Sequence, residues 1–231
     1  MREDPTNVIR REKYIEMFIT YFEQSRSFVY MDESWLNKNM TLSHLWSDGN
    51  MNMEPMMPSG KGQRWIMIGA GCKETGWINN SVVFWKGNIQ SEDYHSEMNA
   101  EIFVNWLTIK LLPNVDGRAV IVIDRAPYHI VLTEESKPAS GAWKRNKLID
   151  FIIKHEVKDK NGQLYTADRF DNENIQELVD NVVVNKKGWR KAEILSLAKT
   201  VNLPPKYIAQ KLIDDFNDAN DTDIKLLILS V

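Results

Sequence analysis

Apolar residues recur at helical spacing between positions 6 and 25, where Val8, Ile9, Tyr14, Ile15, Phe18, Ile19 and Phe22 stand among charges, and predict an amphipathic helix. A short apolar run, Phe28-Val29-Tyr30-Met31, follows and ends at Asp32; it reads as a buried strand with a polar tip. Residues 37–63 are rich in Met, Asn, Ser and Gly and include Pro55 and Pro58, which predicts a loop with at most one short strand near Leu42–Trp46. Arg64–Ala70 and Ser81–Trp85 read as strands on either side of a turn at Lys73–Gly76. Ser91-Glu92-Asp93 offers a cap ahead of a helical pattern at Asn99–Leu112 that Pro113 stops. Then comes the most apolar strand, Ala119-Val120-Ile121-Val122-Ile123, ending in Asp124. A continuous β-branched run of this kind suits a central strand covered on both faces.

After residue 140 the pattern turns helical. Lys147–His155, Asn172–Val184, Lys191–Val201 and Pro205–Asn217 all read as helices, and Ile224–Val231 is a final apolar, strand-like run.

Composition narrows the class. At 231 residues with 43% hydrophobic and 26% charged positions, the chain is long enough to bury one large core without covalent staples. Cys72 is the single cysteine, which excludes an internal disulfide framework and a multi-cysteine zinc site and fits a reducing, intracellular compartment. The charged N-terminus is no signal peptide, and no apolar run approaches the ~20 residues of a membrane span. A net charge of −3 argues mildly against a stand-alone DNA-binding module, yet is compatible with a nuclease whose acids hold cations.

Two predicted strands each end in an aspartate. Carboxylates gathered from neighbouring strand ends repel one another, and a divalent cation relieves that repulsion. Hard oxygen ligands select Mg²⁺ or Mn²⁺, which also binds substrate phosphate. Asp is also common where any strand gives way to a turn, so position alone leaves a purely structural reading open for both.

The residues around the two aspartates carry more. Met31-Asp32-Glu33-Ser34-Trp35 and Ile123-Asp124-Arg125-Ala126-Pro127-Tyr128-His129 resemble the motifs of the mariner-type DDE/D superfamily of cut-and-paste DNA transposases. The resemblance covers about residues 8–135 well and the later helices loosely. It implies an α/β, ribonuclease H-like fold with a mixed central sheet flanked by helices, plus a helical insertion before the last strand. It also implies that the strands carrying Asp32 and Asp124 lie side by side. The expected organisation is a lead-in helix at 1–26, a core at 27–139, an insertion at 140–220 and the last core strand at 221–231. The implied chemistry is Mg²⁺- or Mn²⁺-dependent phosphodiester hydrolysis and strand transfer in DNA transposition and integration, with Asp32 and Asp124 as catalytic metal ligands. DNA (transposon ends and target) is the implied partner, a homodimer is an open expectation, and the implied location is the nucleus.

This sequence departs from the family pattern in three ways. Arg125 stands where the family usually has Asn, so a cation adjoins the expected metal site and either competes with metal or contacts a phosphate. The Leu-Asn-Pro-Ile-Glu-like motif that closes with the third acid is missing; Asp159 has a mariner-like spacing but sits in a charged turn, Val157-Lys158-Asp159-Lys160-Asn161-Gly162. The helix-turn-helix modules that precede such cores are also missing, so both ends read as cut, and very weak or no activity is expected of the chain as written. The alternatives are a domesticated, catalytically dead DNA- or protein-binding remnant, and another ribonuclease H-like nuclease acting on RNA or hybrid duplexes.

Secondary candidates follow. Strand alternation points Glu33 away from Asp32, which favours a structural or solvent-facing role over a second ligand. His129 either orients DNA or the metal shell or is an ordinary helix-start histidine. His44, His95 and His155 lack ligand spacing. Trp35, Trp46, Trp65, Trp77 and Trp85 read as core or sheet-face packing. Lys186-Lys187-Gly188-Trp189-Arg190-Lys191 reads as a solvated helix start, with contact to a DNA backbone as the rival. Cys72 reads as a small buried hydrophobe.

Overall fold

The computed structural model describes residues 4–40, 62–87, 98–172, 174–179 and 182–229. The expectations at Leu42–Trp46, Ser91–Asp93, His44, Trp46 and His95 lie outside these residues. The chain divides into two compact units, one formed by Met1–Val131 with Tyr207–Val231 and the other by Leu132–Lys206.

The first unit is built on a six-stranded sheet. Helix α1 (Pro5–Glu23) begins at Asp4, whose carboxylate accepts from the Thr6 amide at 2.8 Å and satisfies one of the open first-turn donors. Strand β1 (Phe28–Asn37) pairs antiparallel with β2 (Arg64–Cys72), which also pairs with β3 (Gly76–Trp77) and β4 (Val83–Lys86). On its other edge β1 runs parallel to β5 (Val120–Ile123), and β5 runs parallel to the strand over Lys225–Ile228. The mixed pattern, with antiparallel meander on one side and parallel strands on the other, is the ribonuclease H-like arrangement.

Alternation sorts the side chains onto two faces. Val29 and Met31 of β1 join Ile121 and Ile123 of β5 in the larger core, against helix α2 (Ala100–Trp106). Val120 and Val122 face the other way, toward Tyr14, Met17, Phe18 and Tyr21 of α1 and toward Phe28. Covered on both faces, all four residues of β5 are buried, as its unbroken β-branched run predicts.

Helix α2 is capped by Asn99, whose side chain accepts from the Ile102 amide at 2.9 Å. It continues as a π-helical turn at Leu107–Leu111 and a 3₁₀ turn at Leu112–Asn114, so Pro113 lies inside the last turn instead of just beyond it. The wider turn keeps Leu107 and Leu111 both in the core. Trp77, 65% exposed, lies across the sheet face over Gly69, where an added Cβ would come within 3.1 Å of the indole.

The second unit contains α3 (Arg145–Lys154), α4 (Ala167–Asn172), the antiparallel pair β6 (Asn174–Val179) and β7 (Val182–Lys187), and α5 (Lys191–Ala198). The expected helix at Asn172–Val184 is therefore corrected: among its described residues only Asn172 is helical, and those at 174–179 and 182–184 belong to the antiparallel pair. Ile175, Leu178, Val179, Val182 and Val183 satisfy a helical period, but the Val182-Val183-Val184 run is β-branched, which favours a strand. The unit's core gathers Leu148, Ile149, Ile152, Phe170, Ile194 and Ala198, with Tyr165 and Trp189 packed on Phe170.

Helix α6 (Ile208–Asn220) and β8 (Lys225–Ile228) belong to the first unit, where Ala209 and Ile213 enter the larger core. An amphipathic pattern says that a helix is half buried and leaves open against which core, so the 140–220 boundary read from sequence could not separate this helix from those before it. Among the described residues no helix is long and apolar enough to cross a membrane.

Arg26 ties the parallel half of the sheet together at one end. It is 5% exposed, donates through Nη1 to the Asp223 carbonyl at 2.6 Å and pairs through Nη2 with the Asp223 carboxylate. Hydrogen bonds from Lys225 and Arg26 hold the Asp223 carboxyl down, at about 2 against an ordinary 3.8.

Two outcomes follow from this packing. Ile213→Ala should destabilise the chain by about 2–5 kcal/mol, the cost of emptying a fully buried aliphatic site, as read by chemical denaturation; a loss under ~0.5 kcal/mol, typical of surface positions, would remove α6 from the core. Because the Asp223 pKa is depressed in the folded chain, its stabilisation is present above pH 3.8 and is lost as pH falls toward about 2. Asp223→Asn should therefore melt lower than the parent at pH 7, with the gap narrowing steadily across that acid window.

Candidate functional site

The site forms where β5 stops. The parallel register pairs Phe28 with Val120, Val29 with Ile121 and Tyr30 with Val122. Asp32 and Asp124 each lie two positions beyond the last registered pair, Tyr30 and Val122, and both reach the same cavity. Here β5 ends, but β1 continues to Asn37 against β2. Asp32 therefore sits inside a long strand, not at its tip as the sequence suggested; the apolar run ends at Met31, whereas the antiparallel partner keeps the backbone extended.

Both aspartates are exposed, and both line one open cavity of about 370 Å³ together with Glu33, Trp35, Arg125, Tyr128 and Leu229. Asp32 Oδ1 accepts from the Glu33 amide at 2.9 Å. Asp124 Oδ1 accepts from the Ala126 amide at 3.1 Å, forming a turn of the chain as it leaves the strand. That turn continues with the His129 amide donating to the Ala126 carbonyl at 2.9 Å and folds the His129 ring back under Asp124.

His129 is fully buried and stands between two acids. Its Nδ1 is 2.6 Å from Asp124 Oδ1, and its Nε2 is 3.0 Å from Glu33 Oε1. With both carboxylates ionised, each contact is a hydrogen bond when the ring nitrogen facing it carries a proton, as both do in an imidazolium. Burial alone would lower the His129 pKa. The hydrogen bond and charge of Glu33, joined by those of Asp124, outweigh it and raise the pKa above the usual value. Phe103 packs on the ring with centroids 4.3 Å apart, and Tyr128 meets it edge-on at 4.6 Å.

Tyr128 reports how much negative charge converges here. Its hydroxyl is pushed far above the ordinary tyrosine range, first by burial and then by the charges of Glu33, Asp124 and Asp32 and a hydrogen bond to Glu33. Three acids from two strands thus act on one hydroxyl. Arg125, half-buried on the cavity wall, supplies the one cationic side chain lining it among the described residues.

Sequence reasoning marked Asp32, Asp124, Glu33, Arg125 and His129, and the fold brings all five to this cavity or its wall. It left Tyr128 unmarked, although the motif Ala126-Pro127-Tyr128-His129 contained it. It treated Glu33 as structural or solvent-facing; the side chain is 3% exposed and bonded to His129. Asp159 lies in the second unit and lines no part of the cavity. Its carboxylate accepts from the Asn161 and Gln163 amides at 2.8 and 3.0 Å and pairs with Arg169 at 2.8 Å. The first of these forces on its pKa, a hydrogen bond from the Gln163 backbone, and the pairing with Arg169 lower it. His155 packs edge-on against Phe151 in the same unit.

As a divalent-cation site the cavity offers two exposed carboxylates whose hydrogen bonds all fall on Oδ1, leaving Oδ2 of each for a hard cation. Among the described residues no three His, Cys, Asp or Glu side chains are grouped as a metal cage. Two carboxylates fit Mg²⁺ or Mn²⁺ in the mode in which water and substrate phosphate complete the shell.

Fold and site together define an α/β domain of ribonuclease H-like topology with an acidic cavity at the end of its central parallel strands. No protein-family model matches the chain, and no curated protein matches it. Among solved structures it is similar to the Mos1 transposase paired-end complex with left transposon end, at 16% identity and a TM-score of 0.38 over 56% of this chain and 38% of that one. It is also similar to the Mos1 mariner paired-end complexes with Mn and with Mg, each at 17% identity, with TM-scores of 0.37 and 0.38 and the same coverage. The chain thus spans 38% of the length of these structures.

Proposed function

We propose that this chain is the catalytic core of a metal-dependent DNA transposase, acting on phosphodiesters at transposon ends and in target DNA. The observation that carries this reading is the shared register of β1 and β5, which sets Asp32 and Asp124 side by side on one cavity wall. The Asp-Glu-Ser-Trp and Ala-Pro-Tyr-His surroundings of the two acids support it.

In this reading Asp32 and Asp124 each give one carboxylate oxygen to Mg²⁺ or Mn²⁺. The bound ion supplies positive charge to the scissile phosphate and to the attacking oxygen of a water or a 3′-hydroxyl. Arg125 reaches a phosphate oxygen from the same wall, where a guanidinium makes charge-assisted hydrogen bonds. Tyr128 stays protonated at any working pH, spends its one proton on Glu33 and does not compete for the cation. No side chain forms a covalent bond to DNA.

A second reading draws on Arg125 itself. A guanidinium on the wall of an acidic cavity also serves a chain that binds DNA, or another protein, without cleaving it. Metal binding separates the two. In Mn²⁺ titrations followed by electron paramagnetic resonance, the parent chain should bind the ion. Asp32→Asn and Asp124→Asn should each weaken binding by more than ~100-fold, because altering groups beyond the ligands already costs about 10–100-fold. Mn²⁺-dependent nicking of supercoiled plasmid should fall to background in both. Equal Mn²⁺ affinity in parent and variants would refute the catalytic reading, and metal-independent DNA binding would then favour the second.

A further inference from the structure

Asp32 and Glu33 are neighbours on one strand and have opposite fates. Both line the cavity, but Asp32 is exposed whereas Glu33 turns toward the core side of the sheet beside Met31 and is 7% exposed. A carboxylate in that position carries a large desolvation cost unless it is hydrogen-bonded. Glu33 has two partners, the His129 Nε2 at 3.0 Å and the Tyr128 hydroxyl. His129 in turn holds Asp124 Oδ1 at 2.6 Å. A continuous path of side chains therefore runs from the core to the cavity: Glu33, His129, Asp124.

The geometry of each link matters. Phe103 and Tyr128 clamp the imidazole plane, so the ring cannot swing. The Asp124 side chain is 55% exposed and, left alone, would rotate about its own bonds. With Oδ1 fixed by both the Ala126 amide and the His129 ring, the carboxylate plane is set and Oδ2 stays free. Carboxylate–imidazole pairs behind metal ligands orient those ligands and tune their affinity.

We propose that Glu33 and His129 are positioning residues that orient Asp124 toward a divalent cation, with Glu33 as the buried anchor. This rests on the reading of Asp124 as a metal ligand. Glu33 touches neither ion nor DNA; it acts through the ring. Glu33→Gln keeps an acceptor for Nε2–H, whereas Glu33→Ala removes it, which separates anchoring from simple space filling.

The test is the Mn²⁺ dissociation constant of the full chain, with thermal midpoints measured in parallel. Glu33→Ala and His129→Ala should each weaken Mn²⁺ about 10–100-fold, and Glu33→Gln should recover part of that loss. Unchanged Mn²⁺ affinity in Glu33→Ala, with only a lower melting midpoint, would overturn the positioning role and leave a structural one. If Asp124→Asn also leaves affinity unchanged, or the parent binds no Mn²⁺, the metal-ligand reading falls and this inference falls with it. Should the alanine variants not fold, the parent chain decides. On titration with diamagnetic Mg²⁺, the His129 ring resonances should shift in step with metal occupancy, and ring signals indifferent to saturating Mg²⁺ would overturn the inference.

Discussion

The parallel pairing of β1 with β5 is the constraint on which the rest depends. Only three residue pairs join these strands, yet they set the height of everything beyond them. The register is held because β5 is buried on both faces: Val120 and Val122 seat against α1, and Ile121 and Ile123 against the larger core. A slip of one residue would exchange those faces and drive every inward side chain outward. It would also lift Asp124 out of step with Asp32 and turn Glu33 away from His129. Hydrophobic packing several residues below the cavity thus determines which oxygens meet within it.

The site places polar groups where they are costly. Glu33 and His129 are almost wholly buried, and either one alone would be an uncompensated charge in an apolar setting. Together they neutralise each other and satisfy both ring nitrogens, with Asp124 completing the path to solvent. Replacing such a pair by well-packed apolar residues is often neutral or stabilising, so stability alone is a poor account of its presence. Arg26, just ahead of β1, and Asp223, just ahead of β8, illustrate the contrast. There the buried guanidinium ties together the backbone and carboxylate of adjoining segments, a structural role.

Much of this was legible in the chain because it was written in strong local patterns. The run Ala119–Ile123 has a single plausible fate, and the period of residues 6–25 matches α1. The two aspartates were visible because each follows an apolar run, and the fold class was implied by the family resemblance of the residues around them. The length of β1 was not visible, because residues Asp32–Asn37 stay extended only through antiparallel hydrogen bonds to β2, a partner remote in sequence. The hairpin at Asn174–Lys187 was hidden by a spacing that serves helix and strand alike. Alternation correctly turned Glu33 away from Asp32, but no local rule says whether the opposite face of a strand meets water, apolar side chains or an imidazole.

That last point explains how two short motifs can build one apparatus. A dipeptide Asp32-Glu33 on a strand delivers one acid to each face of the sheet. A turn of six residues, Asp124 to His129, returns the chain across the end of β5, so the imidazole reaches both acids that flank the strand end: Asp124 through Nδ1 and Glu33 through Nε2. The glutamate therefore matters only because the histidine closes the second motif, and the histidine is anchored only because the glutamate follows the first aspartate. Neither motif contains the link; the strand register supplies it. In a chain of this fold, substituting either residue should be felt at Asp124, whereas Asp32, held by the backbone of its own strand through the Glu33 amide, has no comparable dependence on its neighbours' side chains.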